Sequence, residues 1–520
     1  MEVELAEQIE RKARAVLAKE RGKLAGSHRY ASRFRKRTGL TPITVAPASP
    51  AHWAYHPHFD PVHCIRHAKY IAKHIWRAVE NGMYAPIPAV KFDIPKPGGG
   101  SRPIMSFGIP DSALANLLHK RLTKRNSRLF SAYSYAYRED RNVFDAVLLL
   151  QRSLANSKTY VVQYDFKAFF DSISHEYINK IINDKNRFII SSAERKIISA
   201  FLSHEYANFV DYPSGNFEKR EKGVPQGSSL SLFLANAAAH DLDLTLERQN
   251  GTFVRFADDV VSVTHTYTDA ARVASSFRSH CVDTGLEINY DKSPGIKYFN
   301  IGPSLDKRSM FIDVDDAGDL ETIEGFDFLG HSFTKDGTGL SEKSVKRIKK
   351  KISRIIYIHL LLNPRKGQFN PTRISPTAYD WDLVTCLNEI RRYMYGGLYE
   401  AEIMAFLSLG TKLRAVRGLM AFYPMVTNPT QLIHLDGWLL SVLRRALRER
   451  ARVLAGLGHF LRPLTPTELK NGSWYNEPTV KNECRIPSFV MGWRAARKFY
   501  LRFGLNEIKP PQYYSLTAIY

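Results

Sequence analysis

The sequence predicts an α+β domain followed by an all-α region. Two observations carry that expectation. Residues 111–340 interleave short β runs with helical stretches, the pattern of a sheet packed against helices. From about residue 341 the strand signals fade, and long Leu/Arg/Ala-rich helical stretches follow at 341–363, 380–397, 400–422 and 431–457. A third observation sets the scale: 520 residues, 44% hydrophobic and 24% charged, suffice for two or three domains, each with its own core.

The elements read as follows. Residues 2–24 form an amphipathic helix with Leu5, Ile9, Ala13, Val16 and Leu17 on one stripe. Residues 38–62, rich in Pro and His, read as loop, and 63–82 as a second helix. Lys96-Pro-Gly-Gly-Gly-Ser-Arg102-Pro103 is a turn between two extended pieces. Thr159–Asp165 is a β run that ends on a carboxylate. Phe253-Val-Arg-Phe256-Ala257-Asp258-Asp259-Val-Val is a β run interrupted by two acids. Residues 231–243 form a helix that Ser228 or Ser229 can cap. The tail 458–520 is irregular apart from a helix near 488–503.

Charge gives the first indication of a partner. Seventy-four Lys+Arg against 51 Asp+Glu leave a net +23, which favours a polyanion. The excess is clustered in residues 1–40, in 343–354, and at Arg444, Arg445, Arg448, Arg450 and Arg452. These stretches lack a continuous Trp/Phe/Leu face, so nucleic acid fits better than a membrane surface. No run of about 18 apolar residues reads as a membrane span, and the acidic N-terminus does not read as a signal peptide. Cys64, Cys281, Cys386 and Cys484 lie far apart, which argues against disulfides or a zinc knuckle and suits a reducing cytoplasm. His63 and His67 have a metal-compatible spacing, but helix packing or RNA contact explains them better than zinc, no second cysteine being near. Trp53, Tyr55 and Phe59 beside them could stack on bases.

Two acids between apolar strand halves are unfavourable unless they bind a cation or sit at a hairpin tip. A strand-end acid plus two at a hairpin tip can hold two Mg²⁺ ions about 3.5–4 Å apart, which activate a 3′-hydroxyl and neutralise departing pyrophosphate.

Around these acids the sequence resembles the reverse transcriptases. Tyr164-Asp165-Phe-Lys-Ala-Phe-Phe170-Asp171-Ser-Ile resembles their first palm motif, Gly223-Val-Pro-Gln226-Gly227-Ser-Ser-Leu-Ser the second, and Phe256-Ala-Asp258-Asp259 the aromatic-x-Asp-Asp motif. Gly285-Leu-Glu-Ile-Asn289-Tyr-Asp-Lys292 resembles the next, and Phe326-Asp-Phe328-Leu329-Gly330-His331 the primer grip. Ile94-Pro-Lys96…Arg102 and Tyr135-Ala-Tyr137-Arg138 resemble fingers motifs. The motifs run in family order over about 85–335, and their wording is nearest to bacterial enzymes of the intron, retron and phage-defence kind.

The resemblance implies a right-hand polymerase fold, with an N-terminal helical basic extension (1–84), fingers and palm (85–340), an all-α thumb-like domain (341–457) and a C-terminal extension (458–520). It implies Asp165, Asp258 and Asp259 as catalytic acids, and the same three with the Phe166 carbonyl as ligands of two Mg²⁺ ions, for which Mn²⁺ can substitute. Lys96, Arg102, Phe170, Gln226, Gly227 and Lys292 are the expected dNTP-binding set. Arginine offers a forked donor to phosphate, glycine permits close backbone approach, and Lys292 can place a proton donor near pyrophosphate. Phe170 would exclude a 2′-hydroxyl by collision. On a strand it would face opposite to Phe169, leaving one of the two rings to the site.

Two departures from the family pattern stand out. Ser229 and Leu232 replace two prolines common in the second motif, and Phe256 stands where Tyr is commoner. The stretches 386–397 and 435–445 resemble, more loosely, an intron-type thumb. No Cys/His cluster of a nuclease is visible, so the architecture resembles the defence-associated and abortive-infection group. The expected activity is RNA-directed DNA synthesis in the cytoplasm. An RNA template, read as a dedicated non-coding RNA, a DNA product and dNTPs are the expected partners, and a homo-oligomer is left open. The alternatives are an intron-type reverse transcriptase/maturase and an inert RNA-binding scaffold. Some abortive-infection relatives prime from a tyrosine hydroxyl; the tail offers Tyr513, Tyr514 and Tyr520 after Pro510-Pro511.

Overall fold

The computed structural model describes residues 1–42, 49–96, 99–154, 158–300, 320–374, 380–413, 415–475 and 484–508. Two compact units emerge: Met1–Gly26 with Ala46–Ile323, and Ser27–Val45 with Glu324–Tyr520. The chain passes from one unit to the other inside its first helix, Glu2–Thr38, which runs well beyond the expected 2–24. Acids in its first turn and Arg35, Lys36 and Arg37 in its last complement the helix dipole. It ends where Gly39 adopts a left-handed φ of 75° and donates to the Arg35 carbonyl. Leu5, Ile9 and Ala13, spaced four apart, are fully buried in the first unit's core.

The first unit carries β1 (Ala89–Pro95), β2 (Ser101–Ser106), β3 (Lys158–Asp165), β4 (Glu205–Ala207), β5 (Glu218–Lys219), β6 (Thr252–Phe256), β7 (Asp259–Thr264), β8 (Gly295–Asn300) and β9 (Thr322–Ile323). One sheet has the order β2-β1-β4-β5, the other β6-β7-β3-β8-β9. In the second, β3 is central and antiparallel to both β7 and β8. Its run Tyr160-Val161-Val162 is buried, as β-branched and aromatic residues between two neighbouring strands should be. The helix Tyr267–Thr284 packs on this sheet, with Ala270, Val273, Ala274 and Phe277 buried. Helices Leu230–Ala238 and His240–Glu247 stand in place of the single expected helix 231–243. Neither expected serine caps them by its side chain: Ser229 occupies the N-cap without a capping bond, and the buried Ser228 hydroxyl has no partner.

The second unit holds β10 (Gly325–Phe328), β11 (His331–Thr334) and β12 (Gly337–Leu340), an antiparallel meander, followed by helices. The β10–β11 turn is Leu329-Gly330, both at positive φ, as a two-residue hairpin requires. The helix Glu342–Ile356 is capped by Ser341 and buries Ile348, Ile352, Ile355 and Ile356 away from its lysines. The expected helix 400–422 stops at Leu409, where Gly410 takes φ 69° and closes the turn on Phe406. Helices Trp381–Tyr395, Thr430–Ala455 and Phe489–Phe503 match their expected stretches, and Pro466–Asn471 adds a short helix to the tail.

Two expectations about the N-terminal segment are corrected. The loop 38–62 contains helical turns at Ala51–Ala54 and Pro57–Phe59. Tyr55 stacks on Tyr212 at 5.2 Å, and Phe59 is buried in a small core with Val90 and Ala207, so these rings pack the protein rather than presenting faces to bases. His63 and His67 lie 4.6 Å apart, and among the described residues they join no group of three metal-ligating side chains. No helix of the described residues is long and apolar enough to cross a membrane. Tyr513, Tyr514 and Tyr520 lie outside the described residues.

Candidate active site

The sheet brings the acids together by register. β3 ends on Asp165, paired directly with Asp259 at the start of β7. β6 and β7 form a hairpin closed at Phe256↔Asp259, so Ala257-Asp258 is its two-residue loop. Ala257 takes φ 62°, a conformation that favours glycine at the first position of such a turn. This strain is held from behind. Arg255, fully buried, donates to the Ala257 carbonyl at 3.0 Å, to both oxygens of Asp243 at 2.7 and 2.6 Å, and to Ser134 Oγ at 2.6 Å. The acid tip therefore rests on a neutralised, fully hydrogen-bonded arginine.

Asp165 is only 8% exposed, and a loop wraps it. Asn289 donates its backbone N–H to the Asp165 carbonyl at 2.8 Å and its side-chain amide to Oδ2 at 3.1 Å; Ser293 Oγ receives the Asp165 N–H at 2.9 Å. Lys292 reaches Oδ2 at 3.4 Å with a largely exposed side chain. Burial first, and then the charge of Asp165, raise the Asp258 carboxyl above its ordinary value; Lys292 and Arg102 oppose this more weakly. Two mutually repelling, partly desolvated carboxylates without an arginine salt bridge suit a hard divalent cation. Asp259 is exposed. Among the described residues no three His, Cys, Asp or Glu side chains form a complete metal cage. Asp165, Asp258 and Asp259, the three ligands expected from the sequence, are therefore not gathered into one three-carboxylate set.

The other expected residues divide between surface and support. Lys96 and Arg102 are exposed on the β1–β2 hairpin; Lys96 donates its N–H to the Gly100 carbonyl. Phe166 is buried and stacked on Phe169 at 5.2 Å. Phe169 and Phe170 lie in a helical turn, Phe169–Ser172, entered through Ala168 at φ 49°, not on a strand; the alternation argument for them fails, because successive helical residues diverge by about 100° rather than 180°. Their division of labour survives: Phe169 is buried and Phe170 half-exposed, edge-on to Tyr137 at 6.2 Å. Gln226 donates to Asp171 Oδ2 at 2.7 Å, and its carbonyl accepts from the Met105 N–H at 2.7 Å. Gly227, at φ 117°, is pressed against the Met105 carbonyl, where a Cβ would collide.

Sequence reasoning passed over Asp243, Arg255, Asp171 and Arg220. Arg220 donates to Asp171 at 3.1 Å, so Asp171 fastens the loop before Gln226 to the Phe170 turn. A signal existed for Arg255. An arginine inside an apolar strand run must find a buried acid, and Asp243 sits in the neighbouring apolar helical stretch.

A strand-end acid beside an acid-tipped hairpin, on an antiparallel sheet covered by helices, defines a palm of the right-hand nucleotide polymerases. Residues 94–333 match the family "Reverse transcriptase (RNA-dependent DNA polymerase)". That match and the relatives below support a reverse transcriptase related to those of retrons and group II introns. The chain is similar to the retron Ec73 reverse transcriptase of Escherichia coli (25% identity, covering 42% of this chain and 66% of that one). It is also similar to the group II intron-encoded protein LtrA of Lactococcus lactis subsp. cremoris (28% identity, 33% of this chain and 27% of that one). Among solved structures, apo telomerase from Candida tropicalis is similar at TM-score 0.37 and 12% identity, over 79% of this chain and 68% of that one. The chain spans less than two thirds of the length of these curated relatives.

Proposed function

We propose that this protein synthesises DNA on an RNA template from deoxynucleoside triphosphates. The observation that carries the reading is the convergence of Asp165 and Asp258, held by backbone register, with burial and then the charge of Asp165 raising the Asp258 carboxyl. Asp165 and Asp258, with the Phe166 carbonyl and Asp259 in support, would hold two Mg²⁺ ions; bound there, the ions supply charge neutralisation and acidify the attacking 3′-hydroxyl. Asn289 and Ser293 fix the Asp165 carboxylate and backbone before substrate arrives, which avoids reorganisation during reaction. Arg102 and Lys96 provide cations for the triphosphate. Lys292, exposed at the edge of the site and within 3.4 Å of Asp165, provides a proton for departing pyrophosphate. Phe170, kept at its angle by Tyr137 and by the Asp171 latch, excludes the 2′-hydroxyl.

Primer extension on an RNA template with Mg²⁺ tests the reading. Incorporation by the wild type and none by Asp258→Ala/Asp259→Ala is expected; equal extension by both would overturn it. Phe170→Ala should narrow the preference for deoxynucleotides by roughly 10–200-fold, and an unchanged preference removes Phe170 from that role.

The finer reading is a dedicated non-coding RNA template in antiphage defence. The larger share of the retron Ec73 reverse transcriptase that the chain covers, 66% against 27% of the intron-encoded protein LtrA, supports it over intron mobility. Sequencing the RNA and DNA that copurify with the protein decides: a single structured RNA and its complement are expected, and a flanking intron would overturn it.

A further inference from the structure

The arginines of the helix Thr430–Ala455 do not act alike. Arg450 is fully buried, bonded to both oxygens of Asp380 at 2.6 and 3.0 Å, to Asp382 at 3.0 Å and to the Leu360 carbonyl at 2.8 Å. Arg452 is tied to Glu449. Arg444 and Arg448 are exposed and, among the described residues, form no salt bridge. Four residues apart, they lie on one helix face. Both line a cavity of about 200 Å³ whose other walls include Leu383, Leu447, Leu464 and the buried Trp474. Asp380 also lines it, but Arg450 occupies that carboxylate. Arg462 at the rim is spent on Glu468 at 2.7 Å. Phe460, next in the chain to the lining residue Leu461, is 85% exposed.

A cavity with leucine and tryptophan walls, whose one lining carboxylate is held by Arg450, and with two forked cations that form no salt bridge among the described residues, matches a nucleotide taken out of its stack: an apolar ring face below and a phosphate above. A flat duplex surface needs cations but no cavity; an acidic peptide needs cations but no planar apolar slot. We propose that this cavity seats one unpaired base of a bound RNA strand, with Arg444 and Arg448 on its flanking phosphates. The proposal shares with the preceding reading only that RNA binds. Its test uses no nucleoside triphosphate and is carried out on the Asp258→Ala/Asp259→Ala protein, so failure of polymerase activity and failure of this site are distinguishable.

The full-length protein is titrated with fluorescent single-stranded RNA and with a blunt RNA duplex of equal length, across a salt series. Arg444→Ala/Arg448→Ala should weaken single-strand binding by about 10-fold or more and lower the salt slope by roughly 1.4, two phosphates at about 0.7 each. Arg445→Ala, whose side chain does not line the cavity, should do neither. Leu447→Trp, with Ala451→Leu as a milder filler of the same wall, should weaken single-strand binding about 10-fold while leaving the salt slope and duplex binding unchanged. Three results would overturn the proposal: fillers without effect on a protein that melts like the parent, equal loss for strand and duplex, or wild type that binds no RNA. Competition by a poly-glutamate peptide that is lost in the same variants would reassign the cavity to a protein partner and also overturn it.

Discussion

Each unit of this protein holds a pair of nearby buried or half-buried carboxylates, and the two pairs are resolved in opposite ways. In the helical unit, Asp380 and Asp382 share Arg450, which meets both with hydrogen bonds of 2.6–3.0 Å, while Arg373 adds a further bond to Asp382 at 3.0 Å. In the palm, the cations facing Asp165 and Asp258 among the described residues are the exposed Lys292 and, more distantly, Arg102. The palm does possess a buried arginine, but Arg255 is turned to the back of the hairpin and paired with Asp243. Charge compensated within the chain is structure; charge left for something else to compensate is a site. On the proposed reading, this uncompensated charge is what bound ions and substrate would relieve.

The largest expected effect comes from removing the uncompensated pair. Asp258→Ala/Asp259→Ala should lower nucleotide incorporation by about a thousandfold or more, several kcal/mol of transition-state charge stabilisation being lost, with far-UV circular dichroism unchanged. If the double variant unfolds instead, the palm acids are structural and the contrast between the pairs collapses. Breaking the compensated pair should do the reverse. Arg450→Met should destabilise the helical unit by about 3–5 kcal/mol, read as a lower midpoint in urea, because two acids are left buried without a cation. Adding Asp380→Asn and Asp382→Asn to it should restore much of the loss.

A subtler effect follows from the raised Asp258 carboxyl. A carboxyl that holds its proton more tightly folded than unfolded contributes stability at low pH and loses it as pH rises through its folded value. With chelator present, Asp258→Asn should therefore melt higher than wild type, increasingly so as pH rises. Mg²⁺ should stabilise the wild type but not the variant; a variant less stable at every pH would contradict the strain. The smallest effect belongs to Glu400, pushed up to about 7 by burial against the weaker pull of Arg391, which stands 3.8 Å away. The sign is the same: the stability it gives below the ordinary carboxylate range fades as pH rises through about 7. Glu400→Gln should flatten that decline in thermal melts, and an unaltered profile would show that Arg391 compensates Glu400 fully.

Much of this was legible in the residues. Short-range rules sufficed for β3 ending on Asp165, for the hairpin bearing Asp258 and for the Leu5/Ile9/Ala13 stripe, because each depends on a local period or a two-residue turn. The same rules failed where a choice depended on distant neighbours. Trp53, Tyr55 and Phe59 look like base-stacking rings until β1 and Tyr212 are seen to cover them. Phe170 was assigned to a strand because the turn at Ala168 has no sequence marker.

By itself, the sequence determined that acids, glycines and cations occur in the order of a reverse transcriptase and that a basic helical region follows. The tertiary structure alone decided which of those charges are free. Arg444, Arg448 and Arg450 are indistinguishable in a helix written as text, and so are Asp258 and Asp382 as acids beside apolar runs. Only packing brings Arg450 to Asp380 and Asp382 across about 70 residues of chain. Whether a buried charge is satisfied depends on what stands within about 3 Å of it, and sequence separation does not measure that distance.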